Sequence, residues 1–114
     1  MLLKKMNKIE ENLQNIIEND YLVIVEGKKD RAALNTFGIK RIVTLDNRPL
    51  FEVIENINEK DVVILTDLDI DGRKLFNKLR HHLQRRGIRL HNKIREELFK
   101  TKMSCVEGLA KYLS

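Results

Sequence analysis

Three short apolar segments constrain the fold of this chain more than any other feature of its sequence. They read LVIV at 22–25, IVTL at 42–45 and VVIL at 62–65, without a regular alternation of apolar and polar residues. Strands of this kind are typical of parallel sheets that helices cover on both faces. The sequence therefore predicts an α/β fold: a small doubly wound, Rossmann-like domain with a four-stranded, mostly parallel sheet flanked by helices.

The segments around these strands have the apolar spacing of helices. We expect one domain spanning 1–114, with its core at 21–90. The helix after the second strand should bury Phe51, Ile54 and Ile57, and Asn92 should cap the helix that follows the fourth strand. The expected elements are an N-terminal helix at 5–18, strands at 21–25, 41–45, 62–65 and 88–90, helices at 49–57 and 72–86, and a C-terminal helical extension at 92–113 with a capping box at 104–107.

Two acidic residues directly follow neighbouring strands of the predicted sheet. With the strand order 2-1-3-4, strands one and three adjoin where the order reverses, and such folds bind ligands there, at the carboxyl ends of the strands. Glu26 follows strand one, and Asp67 lies just after strand three. We therefore expect these two carboxylates to meet at one edge of the sheet.

The stretch TDLDIDG after the third strand contains three alternating aspartates. An EF-hand calcium loop is not expected, because Lys78 occupies the twelfth position, where that loop needs a bidentate glutamate. Carboxylates on rigid strand ends suit Mg²⁺, for which Mn²⁺ is the expected substitute. The predicted metal-binding or catalytic acids are Glu26, Asp67, Asp69 and Asp71.

Two acids near this edge also have a purely structural interpretation. Asp71 would cap a helix that begins at Gly72, and Asp30 would favour the first turn of the helix after strand one. Neither explanation covers the remaining acids of the cluster, Glu26, Asp67 and Asp69.

Gly27 permits a tight turn and the close approach of a ligand, but the sequence EGKK lacks the spacing of a nucleotide-binding P-loop.

Positive charge is concentrated towards the C-terminus. Residues 73–102 contain eleven Lys/Arg and two Asp/Glu, whereas residues 1–72 contain ten and fourteen. Such a segment indicates a polyanionic partner, most commonly nucleic acid, and a merely solvated basic surface is the alternative. The candidate nucleic-acid-binding residues are Lys28, Arg73, Lys74, Lys78, Arg80 and Arg85, of which Arg73 and Lys74 lie beside the acidic stretch.

The cysteine content and the hydropathy indicate where the protein works. Cys105 is the single cysteine of the sequence, so an internal disulfide is excluded and a reducing compartment is expected. No apolar stretch approaches the length of a membrane span. We therefore expect a cytoplasmic protein without a membrane partner.

His81 and His82 are adjacent on the predicted helix, so their side chains diverge and no zinc pair is expected.

The sequence resembles the Toprim domain family in two motifs that occur in order. These are the glutamate and glycine of VEGKKD after strand one, and the D-x-D of TDLDIDG after strand three. The family includes topoisomerases, bacterial primases, recombination mediators and the ribonucleases that mature ribosomal RNA. The resemblance implies that Glu26 is the general acid/base or a metal ligand, that Asp67 and Asp69 hold Mg²⁺, and that Asp71 is a third ligand or an outer partner.

The resemblance implies a minimal catalytic module. Neither Tyr21 nor Tyr112 lies in a separate DNA-binding domain of the kind a topoisomerase needs, and the single cysteine excludes the zinc region of a primase. We expect Mg²⁺-dependent phosphodiester cleavage on nucleic acid, with RNA slightly preferred over DNA. The alternative is a non-catalytic module that binds nucleic acid or a larger protein partner. A homodimer through the N-terminal helix is a further expectation.

Overall fold

The computed structural model describes residues 7–101 and 106–108, and of Glu107 the backbone alone. Residues 5–6 of the predicted first helix and most of the predicted C-terminal extension beyond 101 lie outside these described residues. The elements are α1 (Lys8–Asn19), β1 (Leu22–Val25), α2 (Lys28–Asn35), β2 (Ile42–Thr44), α3 (Leu50–Glu55), β3 (Asp61–Leu65), α4 (Ile70–Arg85), β4 (Arg89–Leu90), α5 (Lys93–Phe99) and a 3₁₀ turn at Val106–Gly108.

The four described strands form one parallel sheet in the order β2-β1-β3-β4. The last residue of β1, Val25, lies opposite Thr44 of β2 and Leu65 of β3. The three strand ends are therefore level, and the loops that follow them emerge at one edge. This confirms the predicted doubly wound α/β fold and its strand order.

The absence of alternation in the strands follows from burial on both faces. One face of the sheet packs on α3 and α4, where Ile24 and Ile64 belong to one buried cluster with Val53, Leu79 and Leu83. The opposite face packs on α1 and α5, with contributions from α2, and buries Val25 and Leu65 against helix residues such as Leu13, Leu34 and Leu98. Removing this apolar surface from water is the main stabilising contribution, at about 25 cal/mol per Å².

Three local expectations differ from the structure. Phe51 is 62% exposed, whereas Ile54 and Ile57, which were expected on the same face, are buried together with Val53. Helix α4 begins two residues earlier than predicted, at Ile70. Asn92 lies at the N-cap position of α5, but its side chain makes no capping hydrogen bond. The helices themselves were predicted correctly, and the differences concern one exposed ring, one helix start and one missing capping bond.

Two features of the helices concern the expected absence of a membrane partner and the expected homodimer. No helix among the described residues is long and apolar enough to cross a bilayer. The apolar face of α1, formed by Ile9, Leu13 and Ile16, is buried within the chain itself, in the core cluster shared with α5. A homodimer through this helix remains a prediction, and it would have to use the polar side of α1.

Candidate functional site

Glu26 and Asp67 meet at the carboxyl edge of the sheet. The backbone N–H of Asp67 donates to Oε2 of Glu26 at 2.6 Å, although the two residues are 41 positions apart. The contact follows from the level ends of β1 and β3, which pair in register up to Val25 and Leu65. The structure thus brings together the two acids that the strand order predicted would meet.

The environment of Glu26 favours its protonated form. Burial raises the pKa of this carboxyl above its ordinary value of 4.5, and the hydrogen bond from Asp67 N–H opposes that rise. The negative charges of Asp67, Asp69 and Asp30 raise the pKa further. A half-buried carboxyl with three acidic neighbours can hold and release a proton nearer neutrality than a free glutamate.

Asp69 is the N-cap of α4. Its Oδ1 accepts a hydrogen bond from the backbone N–H of Gly72 at 2.8 Å. Asp71, which was expected to cap a helix beginning at Gly72, instead lies exposed inside the first turn. The capping interpretation of Asp71 is therefore wrong, and the structural role falls on Asp69, for which none was expected.

The other two acids of the edge also accept backbone hydrogen bonds. Oδ1 of Asp67 accepts from the N–H of Val106 at 3.1 Å, which ties the 3₁₀ turn to the end of β3. Oδ2 of Asp30 accepts from the N–H of Gly27 at 3.0 Å and stabilises the start of α2. This confirms the structural interpretation of Asp30. Each of these carboxylates therefore organises a loop, whatever else it does.

The chemistry of this donor set fits a hard cation such as Mg²⁺. In the residues that the structure describes, no three acidic, histidine or cysteine side chains are placed to share one ion. Mg²⁺ is commonly bound through one or two carboxylates, with water and phosphate oxygens completing its shell. Glu26, Asp67 and Asp69 each use one oxygen for the hydrogen bonds described above, and the described part of the chain engages no second oxygen of theirs.

A glycine allows α4 to begin close against the end of β3. A Cβ atom on Gly72 would lie 2.0 Å from the carbonyl oxygen of Asp67. The hydroxyl of the buried Thr66 donates to the carbonyl oxygen of Gly72 at 2.7 Å. The sequence suggested that Gly72 belongs to the acidic motif, and the structure supplies the reason.

Arg95 is a residue of this region that sequence reasoning missed. It is only 3% exposed, and its guanidinium donates to the carbonyl oxygens of Thr66 and Asp67 and to the Thr66 hydroxyl. The guanidinium also lies 4.4 Å from the ring centre of Phe76. Burial lowers the pKa of Arg95, and the charge of Glu26 opposes this effect. Arg95 thus fixes the backbone from which Asp67 projects.

A signal for Arg95 was present in the sequence. Ile94 and Leu98 form the apolar face of α5, and Arg95 falls between them on the same side of the helix. A charged residue within an apolar helix face indicates a buried charged side chain, which needs hydrogen-bond partners. Because Arg95 lies in the Lys/Arg-rich segment 73–102, sequence reasoning did not distinguish it from the exposed basic residues.

The predicted basic residues divide into two groups by their distance from the acidic edge. Lys28 is exposed in the first turn of α2, and Arg73 and Lys74 are exposed near the start of α4. Arg73 also donates to the carbonyl oxygen of Leu68 at 3.0 Å. Lys78 is exposed about two turns along α4. At 1.5 Å per residue, Arg80 and Arg85 lie about 16 Å and 24 Å from Asp69 along the helix axis, beyond reach of a phosphate at the acidic edge.

Comparison with curated proteins identifies relatives along nearly the whole chain. A UPF0292 protein of Pyrococcus horikoshii is 33% identical over 111 residues, which cover 96% of this chain and 84% of the relative. A UPF0292 protein of Methanosarcina barkeri is 34% identical in an alignment that covers 97% of this chain and 84% of the relative. No protein-family model matches the sequence.

Comparison with solved structures supports the fold. A protein from Aquifex aeolicus has a TM-score of 0.78 to this chain, with 24% sequence identity. The similarity covers 92% of this chain and 98% of the solved one. The arrangement of helices around the parallel sheet is therefore shared along almost the full length of both proteins.

Proposed function

The chain belongs to the UPF0292 family, and we propose that it is a Toprim-like domain that cleaves phosphodiester bonds in nucleic acid with Mg²⁺. RNA is the slightly favoured substrate. One observation carries the proposal: the hydrogen bond from Asp67 N–H to Glu26 Oε2, which joins two acidic loops from separate strands at a single edge. The carboxyl edge of a doubly wound sheet is where such folds place their chemistry.

Glu26 is the proton-transferring group of the proposed reaction. Burial and three neighbouring carboxylates raise its pKa, so it can accept a proton from water and return one to the leaving oxygen. A positioned acid/base of this kind contributes about a hundredfold to ten-thousandfold to a rate. Asp67 N–H keeps the carboxylate oriented toward the loop that follows β3.

Asp67 and Asp69 would hold the Mg²⁺ ion through the carboxylate oxygens that the described residues leave unengaged, with Mn²⁺ as a substitute. When bound, the ion would neutralise negative charge on the phosphodiester. Asp71 is the outermost candidate, since it is exposed in the first turn of α4. Arg73, Lys74 and Lys28 lie around the same edge and would hold the phosphate backbone by charge-assisted hydrogen bonds. A cytoplasmic location is part of the proposal.

The experiment that tests this function is a cleavage assay on short single-stranded RNA and DNA with Mg²⁺, Mn²⁺ or EDTA. Glu26→Gln and Asp67→Asn should each abolish metal-dependent cleavage. Asp20→Asn is the matched control, because Asp20 is exposed and its ion-pair partner is Arg41, at the amino edge of the sheet and away from the site. Cleavage that persists in both site variants would refute the assignment.

A second candidate function is non-catalytic binding of nucleic acid. The specific observation in its favour is that Glu26, Asp67 and Asp69 each accept a backbone hydrogen bond, so loop organisation alone accounts for part of the cluster. This alternative predicts salt-sensitive binding without turnover under either metal ion. Fluorescence anisotropy and the cleavage assay on the same samples separate the two functions.

A further inference from the structure

The turn after β2 lies beside the proposed catalytic glutamate and has an unusual backbone. Asp46 and Asn47 both adopt the left-handed region, with φ values of 47° and 60°. Residues other than glycine rarely adopt it, and such conformations gather at functional sites. The N–H of Asp46 donates to the carbonyl oxygen of Glu26 at 3.0 Å, and the N–H of Arg48 to that of Leu45 at 2.8 Å. The turn therefore folds Arg48 back against the end of β2.

Two guanidinium groups converge on Thr44, the last residue of β2. Arg48 donates to the carbonyl oxygen of Thr44 and to that of Leu45, the latter at 3.3 Å. Arg31, from the first turns of α2, donates to the Thr44 hydroxyl at 3.3 Å. Thr44 is only 2% exposed, and its hydroxyl donates in turn to Asp46. The arginines thus arrive from separate elements and are held by one buried residue.

In the part of the chain that the structure describes, no direct ion pair neutralises either arginine. Among the described residues, no carboxylate forms a salt bridge with Arg31 or Arg48. Asp46 is the nearest acid of the cluster, and it is bound to the Thr44 hydroxyl. Two cations and one anion leave the cluster with a net positive charge, and a guanidinium has five N–H donors, of which each arginine uses a minority here.

The cluster lines an open cavity. The space has a volume of about 400 Å³ and is lined by Arg31, Thr44 and Arg48 together with apolar side chains of β1, β2 and α3. Asn56, Asn58 and Glu59 complete the lining, and the Glu59 carboxylate is paired with Arg41. The two guanidinium groups offer a nucleotide charge-assisted hydrogen-bond donors for its phosphate.

From these observations we infer that Arg31 and Arg48 form a phosphate-binding site, and that it holds a phosphodiester of the nucleic acid next to the one at the acidic edge. The inference rests on the proposed function for the identity of the ligand. The planar, forked donors of arginine match phosphate oxygens, and Asp46 N–H links this turn to Glu26 directly. The site would fix which phosphodiester of the bound nucleic-acid strand lies next to Glu26.

The test uses the full chain with two probes in EDTA, so that binding is measured without cleavage. The first probe is a short fluorescein-labelled single-stranded RNA, followed by anisotropy at several salt concentrations. The second is inorganic phosphate, followed by amide shifts of Thr44 and Asp46 in NMR spectra. The variant Arg31→Gln/Arg48→Gln is compared with Lys40→Gln/Lys60→Gln, which removes the same charge from two exposed lysines at the amino edge.

The site variant should bind RNA about tenfold more weakly, and its salt dependence should fall by about 0.7 in log–log slope, as expected for one lost phosphate contact on a single strand. The lysine control should stay close to wild type. Asp46→Asn should bind RNA more tightly, because it removes the negative charge next to Thr44 and keeps an oxygen that can accept from the Thr44 hydroxyl. This opposite sign keeps the inference testable if the double variant unfolds.

The outcomes separate this inference from the proposed function. Phosphate shifts at Thr44 and Asp46 that disappear in the site variant would support the phosphate site even if wild type bound no RNA, in which case the nucleic-acid function would fail alone. If wild type binds RNA, equal RNA affinity in the site variant and the lysine control would overturn the inference. So would phosphate shifts that are absent from Thr44 and Asp46 in wild type.

Discussion

A Cβ atom on Gly72 would lie 2.0 Å from the carbonyl oxygen of Asp67 and 2.8 Å from its Cα. Because no side chain tolerates such contacts with backbone, the first turn of α4 can approach the end of β3 only if this position is glycine. The approach lets Asp69 cap Gly72 N–H while Asp67 stays beside Glu26. One missing methyl group thus underlies the geometry of the acidic edge.

We predict that Gly72→Ala destabilises the protein by about 3 kcal/mol or more, because the backbone of Asp67 must move to admit the methyl group. Helix propensity alone predicts the opposite sign, since alanine is favoured over glycine within a helix by about 1 kcal/mol. Urea denaturation followed by circular dichroism measures the difference.

Gly27→Ala is the matched control for that substitution. A Cβ atom on Gly27 meets nothing within 4 Å among the described residues, and its backbone is extended. We expect a loss of about 1 kcal/mol or less, because alanine is a poorer N-cap of α2 than glycine but meets no steric obstacle there. Equal losses in the two variants would show that close packing at Gly72 is not the cause.

The sheet was predictable from the sequence because its determinants are local. Apolar strands such as 62–65 and the helical spacing between them fix the fold class, and strand order then places Glu26 and Asp67 at one edge. The level pairing of Val25 with Leu65 confirms this step. These features depend on burial and periodicity, which the sequence carries directly.

Side-chain roles that depend on the phase of a turn were not predictable. Asp69 and Asp71 differ by two positions, and only the coordinates show that α4 begins early enough for Asp69 to cap it. Arg95 and Arg31 acquire their partners from other elements, so nothing near them in sequence indicates which groups they bind. Arg48 binds Leu45 and Thr44 close by in sequence, but only through a left-handed turn that the sequence did not predict.

We predict that Arg95→Lys destabilises the protein by about 2–4 kcal/mol. Lysine keeps the charge but cannot reproduce the forked donation to Thr66 and Asp67, so buried carbonyl oxygens lose their partners. Thermal and urea unfolding give the measurement. Arg89→Lys is the control, since the Arg89 side chain is 73% exposed and pairs with Asp61 at the surface, where we expect less than about 0.5 kcal/mol.

The raised pKa of Glu26 predicts a pH-dependent effect of Glu26→Gln in metal-free buffer. The folded state binds the Glu26 proton more tightly than the unfolded chain, so this group's contribution to stability is full below pH 4.5 and is lost as pH rises through the folded-state pKa. Glutamine carries no charge and can still accept from Asp67 N–H. The variant should therefore be more stable than wild type at neutral pH.

The stabilisation by Glu26→Gln at neutral pH should be small, because the Glu26 carboxyl is partly solvated. We expect on the order of 0.5 kcal/mol, or about 2–3 °C in melting temperature for a domain of this size. Differential scanning calorimetry in EDTA across a pH series measures it. The gap should close as the pH falls below 4.5. A variant that is less stable than wild type at neutral pH would contradict the assigned environment of Glu26.

The early start of α4 predicts different effects for its two acidic residues. Asp69→Ala should cost about 1 kcal/mol, because Gly72 N–H loses its acceptor, whereas Asp69→Asn keeps a side-chain oxygen and should cost less than half of that. Asp71→Ala removes only a favourable charge from the first turn and should cost a few tenths of a kcal/mol. Urea unfolding in EDTA ranks the three variants, and EDTA prevents any bound ion from contributing. If Asp71→Ala proved the most costly, α4 would begin one half-turn later than described, and Asp69 would be free to serve the acidic edge alone.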